Sequence, residues 1–361
     1  MDVRPKKRYA PVFRMLNPEG RKGKLRLDKN EHVVGLPDGL VRDALRGLTS
    51  ESIATYPEVR PLYSKLAESL QVSDGNLMLA AGSDPAIKSL YELFVGEGDR
   101  VVLPKPTYAM FHVYAQMFGA TAINVAYGAD LSIDQDALLD AIGPDVQMVA
   151  VANPNSPTGT VLDEDFLLKV VDKARASGVV ALIDEAYYPF YPRTMLPYVR
   201  EYDNLVVTRT FSKAYGLAGL RLGYVAASES MVDLLMKVRP MYEVTGVAVH
   251  FGCYVLDHID EIEKYVERVE EGKSYLAAEM ETLGFRTHPT HANFMHVRIE
   301  DESVRSAITQ GLADRDILIT GRQGPPLEDC IRITLGPREQ METVVGGIRE
   351  VVAVVKGTTS Q

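Results

Sequence analysis

The sequence has few cysteines, no long hydrophobic run and no excess of positive charge, and each shortage excludes a class of protein. Cys253 and Cys330 are the only cysteines, too few for a disulfide framework, so a reducing compartment is expected. No apolar run approaches the roughly 18 residues of a membrane span, and the N-terminus lacks the apolar segment of a signal peptide. The sequence therefore predicts a soluble, cytoplasmic protein with no membrane partner.

The charge balance also excludes a nucleic-acid partner. The formal net charge is -10, whereas proteins that bind nucleic acid carry a basic footprint. Positive charge does cluster near the N-terminus, at Arg4, Lys6, Lys7, Arg8, Arg14, Arg21, Lys22, Lys24 and Arg26. We interpret this cluster as a solvated arm, and the alternative is that it helps to form a substrate entrance or a subunit contact.

Strand-like and helix-like segments alternate between residues 76 and 209, which predicts an α/β domain with a mainly parallel sheet. The chain is 361 residues long and 46% hydrophobic, enough to bury a large core. Ligands of such sheets bind outside the carboxyl ends of the strands. Five motif-bearing turns directly follow predicted strands and are expected at this edge, namely those at Gly82, Tyr108, Asn155, Asp184 and Lys213.

Residues 210–224, T-F-S-K-A-Y-G-L-A-G-L-R-L-G-Y, combine one lysine with several glycines after an apolar strand. A lysine that is partly desolvated beside another cation can act as an amine nucleophile and form a Schiff base with a carbonyl. Arg221 is the candidate cation, and Thr210, Ser212 and Arg221 could converge on one phosphate group. Lys213 beside a phosphate cup indicates pyridoxal phosphate (PLP).

The same stretch resembles the Schiff-base lysine motif of the fold-type I, class I/II aminotransferases, in particular their histidinol-phosphate aminotransferase-like branch. The resemblance extends over about residues 25–337. It implies a homodimeric, PLP-dependent enzyme with a large domain around a mainly parallel sheet and a smaller α+β domain. The resemblance implies no metal ion, and the spacing of His288, His291 and His296 is not that of a metal site.

Two further motifs predict how the cofactor is held. Gly82, Ser83 and Asp84 lie between a strand and a helix, where backbone N–H groups and Ser83 can bind a phosphate. Tyr108 follows the next strand and matches the tyrosine that covers the pyridine face in the family.

A buried carboxylate needs a partner, and a protonated pyridine nitrogen would supply one for Asp184. Asp184 ends a fully apolar strand at residues 179–183, so we expect it to hold the ring nitrogen and stabilise the ring as an electron sink. Tyr187 is expected near the ring hydroxyl. The alternative for Asp184 is a helix or turn cap.

The loop at residues 153–159, N-P-N-S-P-T-G, resembles the family loop N-P-N-N-P-T-G, whose asparagine binds the ring hydroxyl. Ser156 replaces the asparagine that commonly precedes Pro-Thr-Gly. Either Asn155 takes the role or Ser156 makes a weaker contact, and the interpretation favours Asn155.

The remaining site residues rest on the resemblance. Residues 25–35 keep Asn30 and Glu31 of the family's N-terminal motif, while His32 and Val33 depart from its usual Asn-Pro. Tyr56, in a Tyr-Pro pair, is expected to reach the cofactor phosphate of the other subunit. Arg332, in C-I-R-I-T-L-G, matches the arginine that grips the substrate's anionic group; Arg322 is its expected helper and Asn30 completes the substrate set.

The predicted boundaries are 1–45 for the arm and part of the small domain, 46–250 for the large PLP-binding domain and 251–361 for the small C-terminal domain.

The predicted reaction transfers an amino group between a small anionic amino substrate and a 2-oxo acid. A lyase similar to the threonine-phosphate decarboxylases is the alternative, because it uses the same apparatus. Histidinol-phosphate enzymes carry a Tyr-Gly pair whose hydroxyl contacts the substrate phosphate, but here Val34 precedes Gly35. Loss of that bond should weaken affinity for a phosphorylated substrate about tenfold or more.

Overall fold

The computed structural model describes residues 7–9, 12, 20–321 and 323–358. The strands of the described chain are β1 (Leu25–Arg26), β2 (Leu77–Ala80), β3 (Arg100–Lys105), β4 (Thr121–Ala126), β5 (Met148–Ala152), β6 (Val180–Asp184), β7 (Leu205–Thr210), β8 (Gly223–Ala227), β9 (Arg286–Thr287), β10 (Phe294–Arg298), β11 (Ile317–Leu318) and β12 (Cys330–Thr334). The α-helices are α1 (Asp38–Arg46), α2 (Ser50–Ala54), α3 (Arg60–Leu70), α4 (Ser83–Phe94), α5 (Ala109–Phe118), α6 (Gln135–Asp140), α7 (Glu164–Ala176), α8 (Glu229–Leu235), α9 (Gly246–Asp257), α10 (Ile259–Thr282), α11 (Glu302–Ala313) and α12 (Arg338–Thr358). Short 3-10 turns lie at Lys7–Tyr9, Asp74–Asn76, Leu196–Arg200 and Ala218–Leu220.

Several helices begin where a side chain satisfies the first free N–H groups. Asp163 accepts from the backbone N–H of Phe166 at 2.8 Å at the start of α7, and Asp301 and Thr245 cap α11 and α9 in the same way. Helix α4 is different, because its N-cap is Gly82, which has no side chain to offer. The N–H groups of its first turn are therefore available to a ligand.

A seven-stranded sheet in the order β2-β8-β7-β6-β5-β3-β4 forms the centre of the fold. Strand β8 pairs antiparallel with both β2 and β7, and the other pairs are parallel. This confirms the predicted mainly parallel α/β sheet. The carboxyl ends of β2, β3, β5, β6 and β7 share one edge, as the sequence predicted.

The central strands are buried on both faces, which explains their continuous apolar runs. On β6, Ala181 and Ile183 pack into a core with α7 and α9, while Val180 and Leu182 pack into a second core with α4 and α5. Helices therefore cover both faces of the sheet. This packing holds the strand ends in fixed positions relative to one another.

A smaller three-stranded antiparallel sheet, in the order β12-β10-β9, lies in the C-terminal part of the chain. One face of it, including Val297 and Ile331, packs with α10, α11 and α12. Its other face carries Phe294, which packs against Tyr187 of the large sheet's edge at a ring distance of 5.4 Å. A parallel pair of β1 and β11 joins the N-terminal segment to this region. Strands β10 and β12 and the long helix α10 lie in this C-terminal region, while the domain boundaries stay a prediction.

No helix within the described chain has the length and apolar composition needed to cross a membrane.

Candidate active site

The side chains predicted to carry the chemistry meet at the carboxyl edge of the large sheet. Strand β6 ends in Asp184, β7 leads into Lys213, and the turn after β2 supplies Gly82. Around these three, other predicted residues are joined to one another by hydrogen bonds, as in the pairs Arg221 with Ser212 and Tyr108 with Asp84.

Arg221, Ser212 and Thr210 form a continuous set of hydrogen-bond donors. Arg221 Nη1 donates to Ser212 Oγ at 3.1 Å, and Thr210 Oγ1 donates to the same oxygen at 2.9 Å. Arg221 Nη2 reaches across to the carbonyl of Ala81 at 3.3 Å, beside the N-terminus of α4. A guanidinium, two hydroxyls and a free helix N-terminus together match the needs of a phosphate dianion.

Gly82 leaves the space that this cup requires. Its φ of +97° is in the left-handed region, and a Cβ at this position would lie 2.6 Å from Arg221 Nη2. Any side chain here would displace the guanidinium. The glycine is therefore fixed by both backbone conformation and close approach.

Asp184 is a buried carboxylate without a cationic partner among the described hydrogen bonds and ion pairs. Thr208, its register partner on β7, donates to Asp184 Oδ1 at 2.7 Å. Burial raises the pKa of Asp184 to about 7, against the opposing effect of the Thr208 hydrogen bond. Such a group is stabilised by an added positive charge, which a protonated ring nitrogen would provide.

The neighbouring acid, Glu185, differs from Asp184 in having complete partners. Arg209 donates to it from Nε at 2.9 Å, and the backbone N–H of Met195 donates at 2.7 Å. Arg209 also stacks over the ring of Tyr188 at 3.5 Å. This buried pair is structural, so of the two adjacent acids only Asp184 remains for a ligand.

Lys213 presents its amine to a cleft between the two sheets. Its Nζ donates to the backbone carbonyl of Lys29 at 2.9 Å and lies 5.9 Å from the centre of the Tyr187 ring. Removal of water by the surrounding protein, together with the charge of Arg332, lowers the pKa of Lys213 to about 8. A lysine with this pKa can lose and regain a proton near neutral pH.

Tyr108 lies near the cup, as predicted for a ring that stacks on a cofactor. Its hydroxyl donates to Asp84 Oδ1 at 3.3 Å, and its ring packs edge-to-face on Phe111 at 5.7 Å. Burial, followed by the charges of Asp84 and Asp184, raises the pKa of the Tyr108 phenol. Asp84 therefore orients Tyr108, and Ser83 begins α4 beside it.

Tyr187 is tied to residues far away in the sequence. Asn30 Nδ2 donates to its hydroxyl at 2.8 Å. Burial raises the pKa of the Tyr187 phenol, and the nearby Ser156 side chain opposes that rise. Asn30 has a left-handed φ of 55° and is held by Thr334 through its backbone N–H at 2.9 Å. The structure thus joins Asn30 to Tyr187 by a hydrogen bond and places Ser156 close to the same phenol.

Asn155 is buried and fully occupied within its own loop. Both amide hydrogens are donated, to the Pro106 carbonyl at 3.0 Å and to Thr158 Oγ1 at 2.8 Å, and its oxygen accepts from Thr107 at 2.8 Å. The side chain has no hydrogen left for a ligand. This geometry favours Ser156, the alternative that the sequence left open.

Arg332 projects from β12 on the face of the small sheet opposite to its core. Its Nη2 donates to the Asp28 carbonyl at 2.8 Å and to Thr320 Oγ1 at 3.2 Å. Its Nε is buried without a hydrogen-bond acceptor. This unsatisfied donor suits an anionic ligand. Arg322, its expected helper, lies outside the described residues.

Tyr56 is separate from this cluster. It is 72% exposed, and its ring stacks on Tyr242 at 3.8 Å and 9°. Ile53 and Met241 are also strongly exposed, so the two tyrosines belong to an apolar surface. No described hydrogen bond joins Tyr56 to the cup of its own chain.

Sequence reasoning missed Thr208 and the pairing of Glu185 with Arg209. Thr208 gave a weak signal, since it is a polar residue in an otherwise apolar strand beside the strand that ends in Asp184.

Among the described residues, no three His, Cys, Asp or Glu side chains could hold a metal ion together.

The predicted PLP fits these residues on three independent observations. The cup has donors and the open space at Gly82, Asp184 lacks a cation, and Lys213 offers an amine of lowered pKa in the same cleft. Each would be satisfied by a different part of the cofactor, namely the phosphate, the ring nitrogen and the aldehyde.

Comparison with known proteins supports this interpretation. The family model described as aminotransferase class I and II matches residues 24–348. Histidinol-phosphate aminotransferases from Thermoanaerobacter sp. (strain X514) and Methanococcoides burtonii are 31% and 32% identical, over 91% of this chain in each case and 93% and 90% of their own lengths. The crystal structure of histidinol-phosphate aminotransferase from Sinorhizobium meliloti in complex with pyridoxal-5'-phosphate superposes with a TM-score of 0.85 at 25% identity, covering 97% of this chain and 99% of that one.

Proposed function

Because the chain belongs to the class I and II aminotransferase family, we propose that it is a PLP-dependent enzyme that transfers an amino group between an anionic amino substrate and a 2-oxo acid. One arrangement carries the proposal: the amine of Lys213, with its pKa of about 8, shares a cleft with the unpaired carboxylate of Asp184 and the unsatisfied Nε of Arg332. When bound, PLP supplies an electron sink for negative charge at the substrate α-carbon.

The side chains of this protein have separate roles in the proposed reaction. Arg221, Ser212 and the N-terminus of α4 bind the phosphate, and Asp184 pairs with the protonated ring nitrogen. The amine of Lys213 would accept the proton from the substrate α-carbon and, as the resulting ammonium, deliver it to the carbon of the cofactor's aldehyde. The Lys29 carbonyl holds that amine in place through its 2.9 Å hydrogen bond.

We assign the contact with the cofactor's ring hydroxyl to Ser156 and Tyr187 rather than Asn155. The Ser156 side chain lies near enough to the Tyr187 phenol to lower its pKa, whereas the amide hydrogens of Asn155 are used within its loop. Two cysteines that form no disulfide, Cys253 and Cys330, are consistent with the cytoplasmic location we propose.

The substrate carries an anion that Arg332 can grip. Two relatives of this chain are named histidinol-phosphate aminotransferases, and we include histidinol phosphate among the candidate donors. Val34 is 42% exposed and has no hydrogen-bonding side chain for a phosphate. An amino-acid carboxylate, a phosphonate and a phosphate therefore all stay within the proposed class.

A panel of amino donors with 2-oxoglutarate tests this function. Histidinol phosphate, aromatic amino acids and threonine phosphate should be compared, with glutamate and carbon dioxide both measured. We expect glutamate from at least one anionic donor and no strong preference for histidinol phosphate. A clear preference for histidinol phosphate would refute the Val34 argument, and carbon dioxide without glutamate would assign the protein to the lyases.

We further propose that the active unit is a homodimer in which Tyr56 reaches the phosphate site of the partner subunit. The apolar surface formed by Ile53, Tyr56, Met241 and Tyr242 supports this, because such exposed patches commonly mark interaction sites.

Mixing two inactive proteins tests the sharing of Tyr56. In a hybrid of Tyr56→Phe and Lys213→Ala subunits, one site lacks both groups and the other is complete. Activity should therefore reappear on mixing, and subunit exchange can be followed with differently tagged chains. Exchange without recovered activity would place Tyr56 outside the partner's site.

A methyl group at Gly82 should weaken cofactor binding. In Gly82→Ala the new Cβ would lie 2.6 Å from Arg221 Nη2, so the guanidinium must move away from the phosphate. We expect the Kd of the cofactor to rise about 10- to 100-fold, measured by titrating cofactor-free protein and following visible absorption.

Gly98→Ala is the matched control for this change. Gly98 has a similar left-handed φ of +91°, but a Cβ there meets nothing within 4 Å. Both glycines have a positive φ that disfavours alanine, but only Gly82→Ala crowds Arg221, so only that variant should lose cofactor affinity. Equal affinities in the two variants would contradict the proposed phosphate cup.

A further inference from the structure

One arginine from the basic N-terminal region bridges two carboxylates beside the active site. Arg21 Nη2 lies 2.6 Å from Asp28 Oδ1 and 2.5 Å from Glu31 Oε2, and Arg21 Nη1 lies 3.4 Å from Glu31 Oε1. The arginine side chain is 13% exposed and the two acids are 20% and 28% exposed. We call these three residues the Arg21 clamp.

The backbone between the two acids contacts the active site directly. The Asp28 carbonyl accepts from Arg332 Nη2 at 2.8 Å, and the Lys29 carbonyl accepts from Lys213 Nζ at 2.9 Å. Segment 28–31 therefore has one side held by Arg21 and another that sets the positions of the two cations on which amino transfer depends.

We propose that Arg21 is a positioning residue of the amino-transfer site, which acts by holding Asp28 and Glu31 so that the carbonyls of Asp28 and Lys29 stay against Arg332 and Lys213. The inference rests on the proposed function. It assigns a role to Arg21 within the basic cluster, in agreement with the substrate-entrance alternative drawn from the sequence.

The segment is also held at Asn30, whose backbone N–H donates to Thr334 Oγ1 at 2.9 Å and whose carbonyl accepts from Asn293 Nδ2 at 3.2 Å. The Arg21 clamp is the attachment that joins the side chains of Asp28 and Glu31. Two carboxylates bound to one guanidinium nitrogen repel each other once the guanidinium is removed. Without Arg21 they would move apart, and the intervening carbonyls would shift with them.

The clamp also sets the charge that Lys213 experiences. The charged groups facing Lys213 are Arg332, Glu31, Arg221 and Asp184; Glu31 and Asp184 raise its pKa, and Arg332 and Arg221 lower it. Arg21 neutralises much of the charge of Glu31. Removing Arg21 should therefore raise the pKa of Lys213, and removing Glu31 should lower it.

These opposite signs test the electrostatic part of the inference, and the KM for the anionic donor tests the positioning of segment 28–31. The visible absorption of the holoenzyme, whose cofactor is joined to Lys213, is titrated with pH in the wild type, Arg21→Gln and Glu31→Gln. We expect the midpoint to rise by about half a pH unit in Arg21→Gln and to fall by a similar amount in Glu31→Gln. The KM for the anionic donor should rise about tenfold in Arg21→Gln, with a smaller change in kcat.

Lys24→Gln is the matched control. It removes the same charge from the same turn, but Lys24 bridges Asp316 at 3.4 Å and does not contact segment 28–31. Lys24→Gln should behave as wild type, and the KM of Arg21→Lys should lie between those of the wild type and Arg21→Gln.

Shifts of the same sign in Arg21→Gln and Glu31→Gln, or an Arg21→Gln protein that matches Lys24→Gln, would overturn the inference. If Arg21→Gln does not fold, the KM of Glu31→Gln, which removes one of the two carboxylates of the clamp, still decides the matter: it should rise, and an unchanged KM would overturn the inference. A wild type with neither a cofactor band nor amino transfer would instead refute the proposed function.

Discussion

Lys213→Ala is expected to lower kcat for amino transfer by roughly 10⁴-fold or more, because one amine is proposed both to join the cofactor and to move the substrate α-proton. No other described lysine amine shares a hydrogen bond or ring contact with the residues of this cleft, so the loss cannot be replaced from within the site. Steady-state assay of glutamate formation measures the effect.

Borohydride reduction identifies the lysine independently of rate. Peptide mapping of the reduced wild type should place the label on Lys213, and Lys213→Ala should carry none. Lys237→Ala, on the exposed end of the α8 region, is the control and should keep both label and activity. Label on another lysine of the wild type would remove the central assignment.

Asp184→Asn is expected to retain the cofactor but lose about 10²- to 10³-fold in kcat. A neutral amide no longer stabilises the ring proton, and the loss of one such charge in a dry site is worth several kcal/mol in the transition state.

Asp184→Asn should also increase the free energy of unfolding of the cofactor-free protein at neutral pH. The pKa of Asp184 is raised from its ordinary value of 3.8 to about 7, so its favourable contribution is complete only below 3.8 and is lost as pH rises through 7.

Unfolding of cofactor-free protein measures this second effect. Between pH 4 and 8 the wild type should lose stability relative to Asp184→Asn, in the sign given by the raised pKa. Near-normal turnover in Asp184→Asn would show that the carboxylate has only a structural role.

Glu185→Gln separates chemistry from structure at the adjacent position. Glu185 and Arg209 are each no more than 4% exposed and face each other at 2.8 Å. Removing one charge of a buried pair costs roughly 3–5 kcal/mol. We expect Glu185→Gln to lower the unfolding temperature more than Asp184→Asn does, with less effect on kcat measured where both proteins are folded.

The sequence by itself determined the sheet edge and placed there most of the residues of the proposed phosphate cup. Continuous apolar runs predicted the buried strands, and a polar residue directly after such a run is placed at the strand's end by the chain itself. Asp184, Gly82 and Lys213 were therefore predictable, since each lies within three residues of its strand. Ser212 and Arg221 belong to the same motif and follow from it.

The tertiary structure decided what depends on contacts between distant segments. Asn30 meets Tyr187 across 157 positions, and Arg332 reaches the Asp28 carbonyl across 304. Whether Asn155 was free could be seen only once its three partners were in place. The Arg21 clamp appeared in the sequence as part of a basic run on a solvated arm. The physical reason is that hydrogen bonds and desolvation depend on which groups the whole fold brings together, whereas sequence patterns report mainly the burial of each segment.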